Sequence, residues 1–186
     1  MSQNLRHFTK ALYGMDAVVQ RCPTDAWDNP SPCAGWTARD VVGHQVGVLL
    51  GTADMARGND MTFPETPEDL SDPVSLWNAA RDDVLEALDQ PGALHHHGPY
   101  WFGEMSVDQL IGIVTWDPLT HSWDLGKAVG VDAVVDAALA QHAFETISTM
   151  RAGLARMQLV GEEVAVPADA DIVDRYLGLV GRDPSI

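Results

Sequence analysis

The chain has 186 residues, 46% of them hydrophobic, which is enough for one domain with a substantial buried core. Its 11 Lys and Arg stand against 27 Asp and Glu, and a net charge of −16 without any basic run disfavours nucleic-acid and anionic-membrane partners. No stretch approaches the ~20 apolar residues of a membrane span, and the N-terminus lacks a signal-peptide pattern, so the cytoplasm is the expected compartment.

The first predicted helix runs from about Asn4 to Arg21, where apolar residues recur at spacings of three and four. A loop follows from Pro23 to Trp36, because three prolines and one glycine exclude a continuous helix. Cys22 precedes this loop and Cys33 lies within it, and without a secretory signal both are expected to be reduced thiols. Cys33 is predicted to be a buried structural thiol, with a reactive thiol as the alternative.

The second predicted helix begins at a capping box formed by Thr37 and Asp40 and runs to about Met55. Its apolar face carries one histidine, His44. A histidine in such a position is either a hydrogen-bonded core residue or a metal ligand, and both alternatives remain open at this point.

The third predicted helix starts at Asp72-Pro73, after a long polar connection, and continues to about Leu88. The triplet His95-His96-His97 follows it. Adjacent loop residues point in divergent directions, so we expect an exposed loop here, with a metal site as the alternative. Pro99 to Phe102 is expected to fold back onto the helices as a hairpin or loop.

The fourth predicted helix opens with the capping box of Ser106 and Gln109 and runs to about Val129, with Pro118 bending it internally. A fifth helix is predicted from about Asp132 to Met157, and one short helix between Pro167 and Asp183. Four long antiparallel helices joined by long connections predict an all-α four-helix bundle with a short C-terminal helical extension. The whole chain, 1–186, is predicted to form one domain.

Asp117 and His121 lie four residues apart, so a helix places both side chains on one face, within reach of a single ion. His44 offers a second imidazole from another helix. Two histidines and one carboxylate form an open three-ligand set, which leaves positions for water or substrate. Asp124 is a candidate for supporting these ligands, although an ion pair on the helix surface with Lys127 or Arg151 is the preferred prediction.

Two segments carry a resemblance to a known family. One is Trp27 with the run Pro30-Ser31-Pro32-Cys33-Ala34-Gly35-Trp36-Thr37-Ala38-Arg39-Asp40-Val41-Val42-Gly43-His44. The other is Asp117 with His121-Ser122-Trp123-Asp124-Leu125 and Ala128-Val129-Gly130. Together they resemble the mycothiol-dependent maleylpyruvate isomerase-like family of DinB-like metal-binding helical bundles. Gly181-Arg182-Asp183-Pro184 is similar to the ending of a short actinobacterial subgroup.

The resemblance implies a four-helix bundle whose metal is held by a histidine from the second helix and a carboxylate-x-x-x-histidine from a later one. Carried over by position, the ligands are His44, Asp117 and His121. Asp117 stands where the family has the longer Glu. The isomerase itself carries a further C-terminal domain, and the likeness is expected to cover only its bundle.

The function that follows from the resemblance is a divalent-metal protein that uses a low-molecular-weight thiol, mycothiol, as co-substrate. The expected reaction is isomerisation of a small electrophilic molecule or S-transfer to it. Zinc is the expected metal, with nickel or iron as alternatives, and a homodimer is left open. The alternative functions are a metal-dependent hydrolase, which would use a bound water, and a non-catalytic metal- or ligand-binding bundle.

Overall fold

Helices carry most of the fold in the computed structural model, which describes residues 1–60, 65–100 and 103–186. Contacts divide the chain into two units, Met1–Ala133 and Val134–Ile186. None of the helices in the described ranges is both long and apolar enough to cross a membrane.

The first three helices begin at side-chain caps that the sequence supplies. Helix α1 (Gln3–Val19) follows Ser2, whose hydroxyl accepts from the backbone N–H of Leu5. Helix α2 (Ala38–Ala56) starts at the predicted capping box, and helix α3 (Pro73–Asp89) starts with proline in its first turn. Because these caps satisfy N–H groups that a helix start leaves free, the predicted start points of α2 and α3 are confirmed.

A short hairpin separates α3 from the next helix. Strand β1 (His97–Tyr100) pairs antiparallel with strand β2 (Gly103–Ser106), and His97 lies opposite Ser106. The predicted fold-back of this segment is therefore confirmed for its described residues. Trp101 and Phe102 lie outside the described residues.

The predicted fourth helix is two helices, α4 (Val107–Val114) and α5 (Trp116–Val129), with Thr115 between them. Pro118 has no N–H to donate to the carbonyl of Val114, and α4 ends at that carbonyl. The proline then occupies the first turn of α5, where a backbone donor is not needed. The prediction of one bent helix was wrong in this detail, while the predicted end at about Val129 is confirmed, and Gly130 follows it with φ of 69°.

The first unit packs as the predicted helical bundle. Helix α1 lies against α4 and α5, and α2 lies against α3 and α5. The largest fully buried side chains at these contacts are Phe8, Leu12, Met15, Leu49, Met55, Trp77, Leu110, Ile111 and Leu125. Helix α5 is therefore covered on several sides, and every residue from Trp116 to Gly126 is buried.

Residues 65–70 lie directly on the backbone of α2. A Cβ atom at Gly47 would stand 2.5 Å from the carbonyl oxygen of Glu65, and one at Gly43 would stand 2.8 Å from a methyl group of Leu70. Both distances are too short for real carbon contacts. These two glycines therefore allow the connection to reach the helix.

The second unit contains α6 (Ala137–Arg156) and α7 (Ile172–Leu179), which pack against each other. The predicted start of the fifth helix at Asp132 was wrong, since the carboxylate of Asp136 caps α6 by accepting from the N–H of Leu139. The short C-terminal helix is confirmed. A single domain over 1–186 stays a prediction.

Candidate metal centre

The three predicted ligands meet inside the first unit. His44 comes from α2 and is half-buried, while Asp117 and His121 come from α5 and are 8% and 5% exposed. Their ligating atoms all lie within 4.8 Å of one another. Nε2 of His44 is 3.2 Å from Oδ2 of Asp117, and Nε2 of His121 is 3.4 Å from Oδ1.

Local structure explains this convergence. One helical turn stacks Asp117 and His121, and the break at Thr115 places Asp117 in the first turn of α5. A carboxylate is favoured there because the free N–H groups of a helix start carry partial positive charge. The packing of α2 on α5 then brings His44 to the same point.

Gln45 supports the carboxylate of Asp117 from α2. The Gln45 side chain is fully buried, and its amide nitrogen donates to Oδ2 of Asp117 at 2.7 Å. Within the described residues, the Gln45 amide oxygen has no hydrogen-bond partner. The sequence analysis missed Gln45. The available signal was a polar residue beside His44 in the otherwise apolar stretch from Val41 to Gly51.

Asp124 lies behind His121. Its Oδ2 is 2.9 Å from Nδ1 of His121, and the thiol of Cys33 donates to the same oxygen at 3.2 Å. Asp124 is fully buried, so the predicted ion pair on the helix surface was wrong. The error arose because α5 has no solvent-facing side at this position. Cys33 is half-buried and, like Cys22, forms no disulfide.

The Trp36 ring covers the two imidazoles from the loop before α2. Its centroid is 5.0 Å from that of His44 and 5.7 Å from that of His121, and it stacks on the latter. The loop is fixed by backbone hydrogen bonds from Ser31 to Trp36 at 2.9 Å and from Trp36 to Cys33 at 3.0 Å. Trp36 therefore shields the cluster from water on one side.

Charges and hydrogen bonds within the cluster shift the pKa values of its side chains. Burial alone would raise the pKa of Asp117, but the charge of His44 and hydrogen bonds from both histidines hold that pKa well below its ordinary value. Burial alone would lower the pKa of His121, but hydrogen bonds with Asp117, Asp124 and Cys33 raise it well above 6.5. Burial and the charge of Asp117 raise the pKa of Tyr100 above its ordinary value.

The donor set fits a divalent cation. Metal–nitrogen and metal–oxygen bonds of about 2.0–2.2 Å place neighbouring donors of a tetrahedral ion roughly 3.3–3.6 Å apart. The measured separations of 3.2 and 3.4 Å are close to these values. A cation would also supply the positive charge that otherwise comes from a protonated imidazole. Nδ1 of His121 is hydrogen-bonded to Asp124, so Nε2 is the nitrogen that would coordinate the ion, as in carboxylate–histidine–metal arrangements.

The histidine triplet lies elsewhere. His95, His96 and His97 are exposed, as predicted, and Nδ1 of His96 is 2.7 Å from the carbonyl oxygen of Ala56. The described residues contain two groups with metal-ligating geometry, and neither includes the triplet. One group is His44, Asp117 and His121. The other is Cys33, His121 and Asp124.

Comparisons with known proteins relate most of the chain to one family. The family model described as mycothiol maleylpyruvate isomerase N-terminal domain matches residues 8–126. Two uncharacterised proteins, from two strains of Mycobacterium tuberculosis, are each 29% identical over 174 residues, covering 89% of this chain and 90% of theirs.

Two solved structures share the fold. The crystal structure of the mycothiol-dependent maleylpyruvate isomerase is 14% identical, with a TM-score of 0.68 over 97% of this chain and 88% of that one. A point mutant of that isomerase gives a TM-score of 0.56, also at 14% identity, over 80% and 68% of the two chains. Because the first match extends beyond Ala133 into the second unit, the expectation that the likeness covers only the bundle was wrong.

Proposed function

Since the chain belongs to the mycothiol maleylpyruvate isomerase N-terminal domain family, we propose that it is a metal-dependent enzyme acting with a low-molecular-weight thiol. In this proposal His44, Asp117 and His121 hold one divalent ion. The observation that carries it is the convergence of their three ligating atoms within 4.8 Å in a largely buried position. The thiol is mycothiol, and the second substrate is a small electrophilic molecule that is isomerised or receives the sulfur.

The ion, when bound, would lower the pKa of a thiol or water beside it and so provide a nucleophile near neutral pH. The protein's own residues prepare the ligands. Gln45 holds one oxygen of Asp117, and Asp124 fixes the ring of His121 through Nδ1. Trp36 covers both imidazoles and limits water on that side. Each ligand is thereby oriented before substrate arrives, which lowers the cost of binding.

The donor set also indicates which metals the site would favour. Two imidazoles and one carboxylate suit zinc, and they also suit nickel and iron. Structural zinc sites usually have four protein ligands, whereas this set supplies three and leaves a position for a substrate atom. We therefore propose zinc at a site that remains open to ligands, with nickel and iron as alternatives.

The first test is metal content. Purified without a histidine tag and with controlled metal supply, Cys33→Ser protein should hold about one divalent ion per chain, because the substitution removes the sulfur of the Cys33, His121 and Asp124 group. In this background His44→Ala and His121→Ala should each lose the ion, and Asp117→Ala should weaken binding. Asp117→Asn should retain part of it through the amide oxygen. His97→Ala, an exposed position, is the matched control. Metal-free Cys33→Ser protein after careful loading, or unchanged content in both histidine variants, contradicts the proposal.

The second test asks what the ion does. In cobalt-substituted Cys33→Ser protein, added mycothiol should produce a strong sulfur-to-cobalt charge-transfer band, because its sulfur enters the coordination sphere. The substitution removes the chain's own nearby sulfur as a source of this signal. If no thiol-dependent band forms and turnover ignores thiols, the thiol mechanism fails. Hydrolysis by bound water is then the better description.

A further inference from the structure

A second group of donor atoms lies on the opposite side of the His121 ring. Oδ2 of Asp124 is 2.9 Å from Nδ1 of His121 and 3.2 Å from Sγ of Cys33, and Sγ is 3.9 Å from Nδ1. The three atoms lie within 4.8 Å of one another. This group uses Nδ1 of His121, whereas Nε2 is the ring nitrogen that lies near Asp117.

We propose that Cys33, His121 and Asp124 form a second ligand set, which takes a thiophilic metal ion such as zinc or copper(I). It shares His121 with the first set but uses the other ring nitrogen. This inference goes beyond the proposed function, because it requires neither an added thiol nor a substrate. Sulfur, imidazole and carboxylate are together a favourable donor set for zinc, and thiolate selects copper(I).

The geometry needs only small adjustments. Bonds of about 2.3 Å to sulfur and 2.0–2.2 Å to nitrogen and oxygen place the donors of a tetrahedral ion roughly 3.3–3.7 Å apart. The three observed separations, 2.9, 3.2 and 3.9 Å, lie within about half an ångström of that range. The hydrogen bonds that now join the three side chains already hold the donors around one point.

The surroundings favour a cation here. Asp124 is fully buried and His121 is nearly so, whereas Cys33 is half-buried and offers a route of entry. The cysteine is held by its loop, since its backbone N–H donates to the hydroxyl of Ser31 at 3.2 Å and its carbonyl accepts from Trp36 at 3.0 Å. Binding replaces two protons, one from the thiol and one from Nδ1, and both pass to solvent. A thiolate and a carboxylate then balance the charge of a divalent ion.

A cobalt titration without any added thiol tests the proposal. In Asp117→Ala, which weakens the first set, cobalt should still bind and should give a sulfur-to-cobalt band. The band should disappear in Asp117→Ala/Cys33→Ser, with at least a tenfold loss of cobalt affinity. Asp117→Ala/Cys22→Ser is the matched control and should keep the band. Cys22 is suited to this role because its thiol donates to the carbonyl of Pro23, away from the candidate centre.

No sulfur-to-cobalt band in the Asp117→Ala background, or a band that survives Cys33→Ser, overturns the second set. In either case Asp124 and Cys33 serve only as hydrogen-bond partners of His121. If Asp117→Ala does not fold, His44→Ala provides the same background from a half-buried position. Failure here differs from failure of the proposed function, whose band requires mycothiol and is measured with Cys33 already removed.

Discussion

The coupling around His121 predicts how the stability of the metal-free protein depends on pH. Its folded-state pKa is raised well above 6.5, through hydrogen bonds with Asp117, Asp124 and Cys33 that outweigh the effect of burial. The folded state therefore binds this proton more tightly than the unfolded state does. The resulting stability is fully present below pH 6.5 and is lost as the pH rises from there through the folded-state pKa.

The magnitude follows from proton linkage. Within that window, one proton bound by the folded state alone makes the free energy of unfolding fall by about 1.4 kcal/mol per pH unit. Asp117 does not oppose this trend, because its pKa is lowered and its stabilising effect is lost only at acidic pH. Urea unfolding of chelator-treated protein at a series of pH values from 6 upward measures the slope.

His121→Gln should remove the slope, because glutamine has no proton to gain, and His95→Gln should keep it, because His95 is exposed. Added zinc should reverse the trend in the wild type, since metal and proton compete for the same ring and binding strengthens as protons leave. Parallel pH profiles for wild type and His121→Gln would refute the reasoning.

Three further results are expected. Replacing His95-His96-His97 with serines should leave the metal content intact, and loss of the ion from that folded variant would move the site to the triplet. Gln45→Ala should weaken metal affinity tenfold to a hundredfold, because a ligating carboxylate loses its buried donor; equal loss in the exposed control Gln141→Ala would contradict this. Burial and the charge of Asp25 raise the pKa of Cys22 from 9.0 to about 11. In Cys33→Ser protein, where Cys22 is the remaining thiol, alkylation at pH 8 should therefore be about a hundredfold slower than that of an ordinary thiol. The rate should rise about tenfold per pH unit, because it follows the thiolate fraction. Mass spectrometry measures that rate, and alkylation at the ordinary rate would show that the thiol is not perturbed.

The sequence allowed prediction of those parts of the site that depend on local geometry. Helical periodicity alone places Asp117 and His121 on one face, whatever the rest of the fold does. The approach of His44 depends on how α2 packs against α5; the residue types suggested the three-ligand set, and the family resemblance implied the same three residues. Periodicity alone did not decide whether His44 is a hydrogen-bonded core histidine or a metal ligand.

What sequence reasoning missed lies on elements that are buried on more than one side. Asp124 was expected at the surface because polar side chains usually face water on a helix. Helix α5 buries polar residues along with apolar ones, including Thr120, Ser122 and Asp124. Gln45 was overlooked for the same reason. A pattern of polar and apolar residues shows which face of a helix is apolar, but it does not show which polar side chains other elements cover.

The two glycines under residues 65–70 bear on the order in which the ligands come together. Glycine costs a helix about 1 kcal/mol relative to alanine, so Gly43 and Gly47 weaken the segment that presents His44. That segment gains its order from long-range docking, whereas the turn joining Asp117 to His121 needs only neighbouring residues. We therefore expect Asp117 and His121 to come together early in folding and His44 to join them later. Amide hydrogen exchange can test this by comparing the protection of α5 with that of α2. An ion that binds before the bundle has assembled would be held by Asp117 and His121 alone. His44 would coordinate it only after α2 has packed against α5.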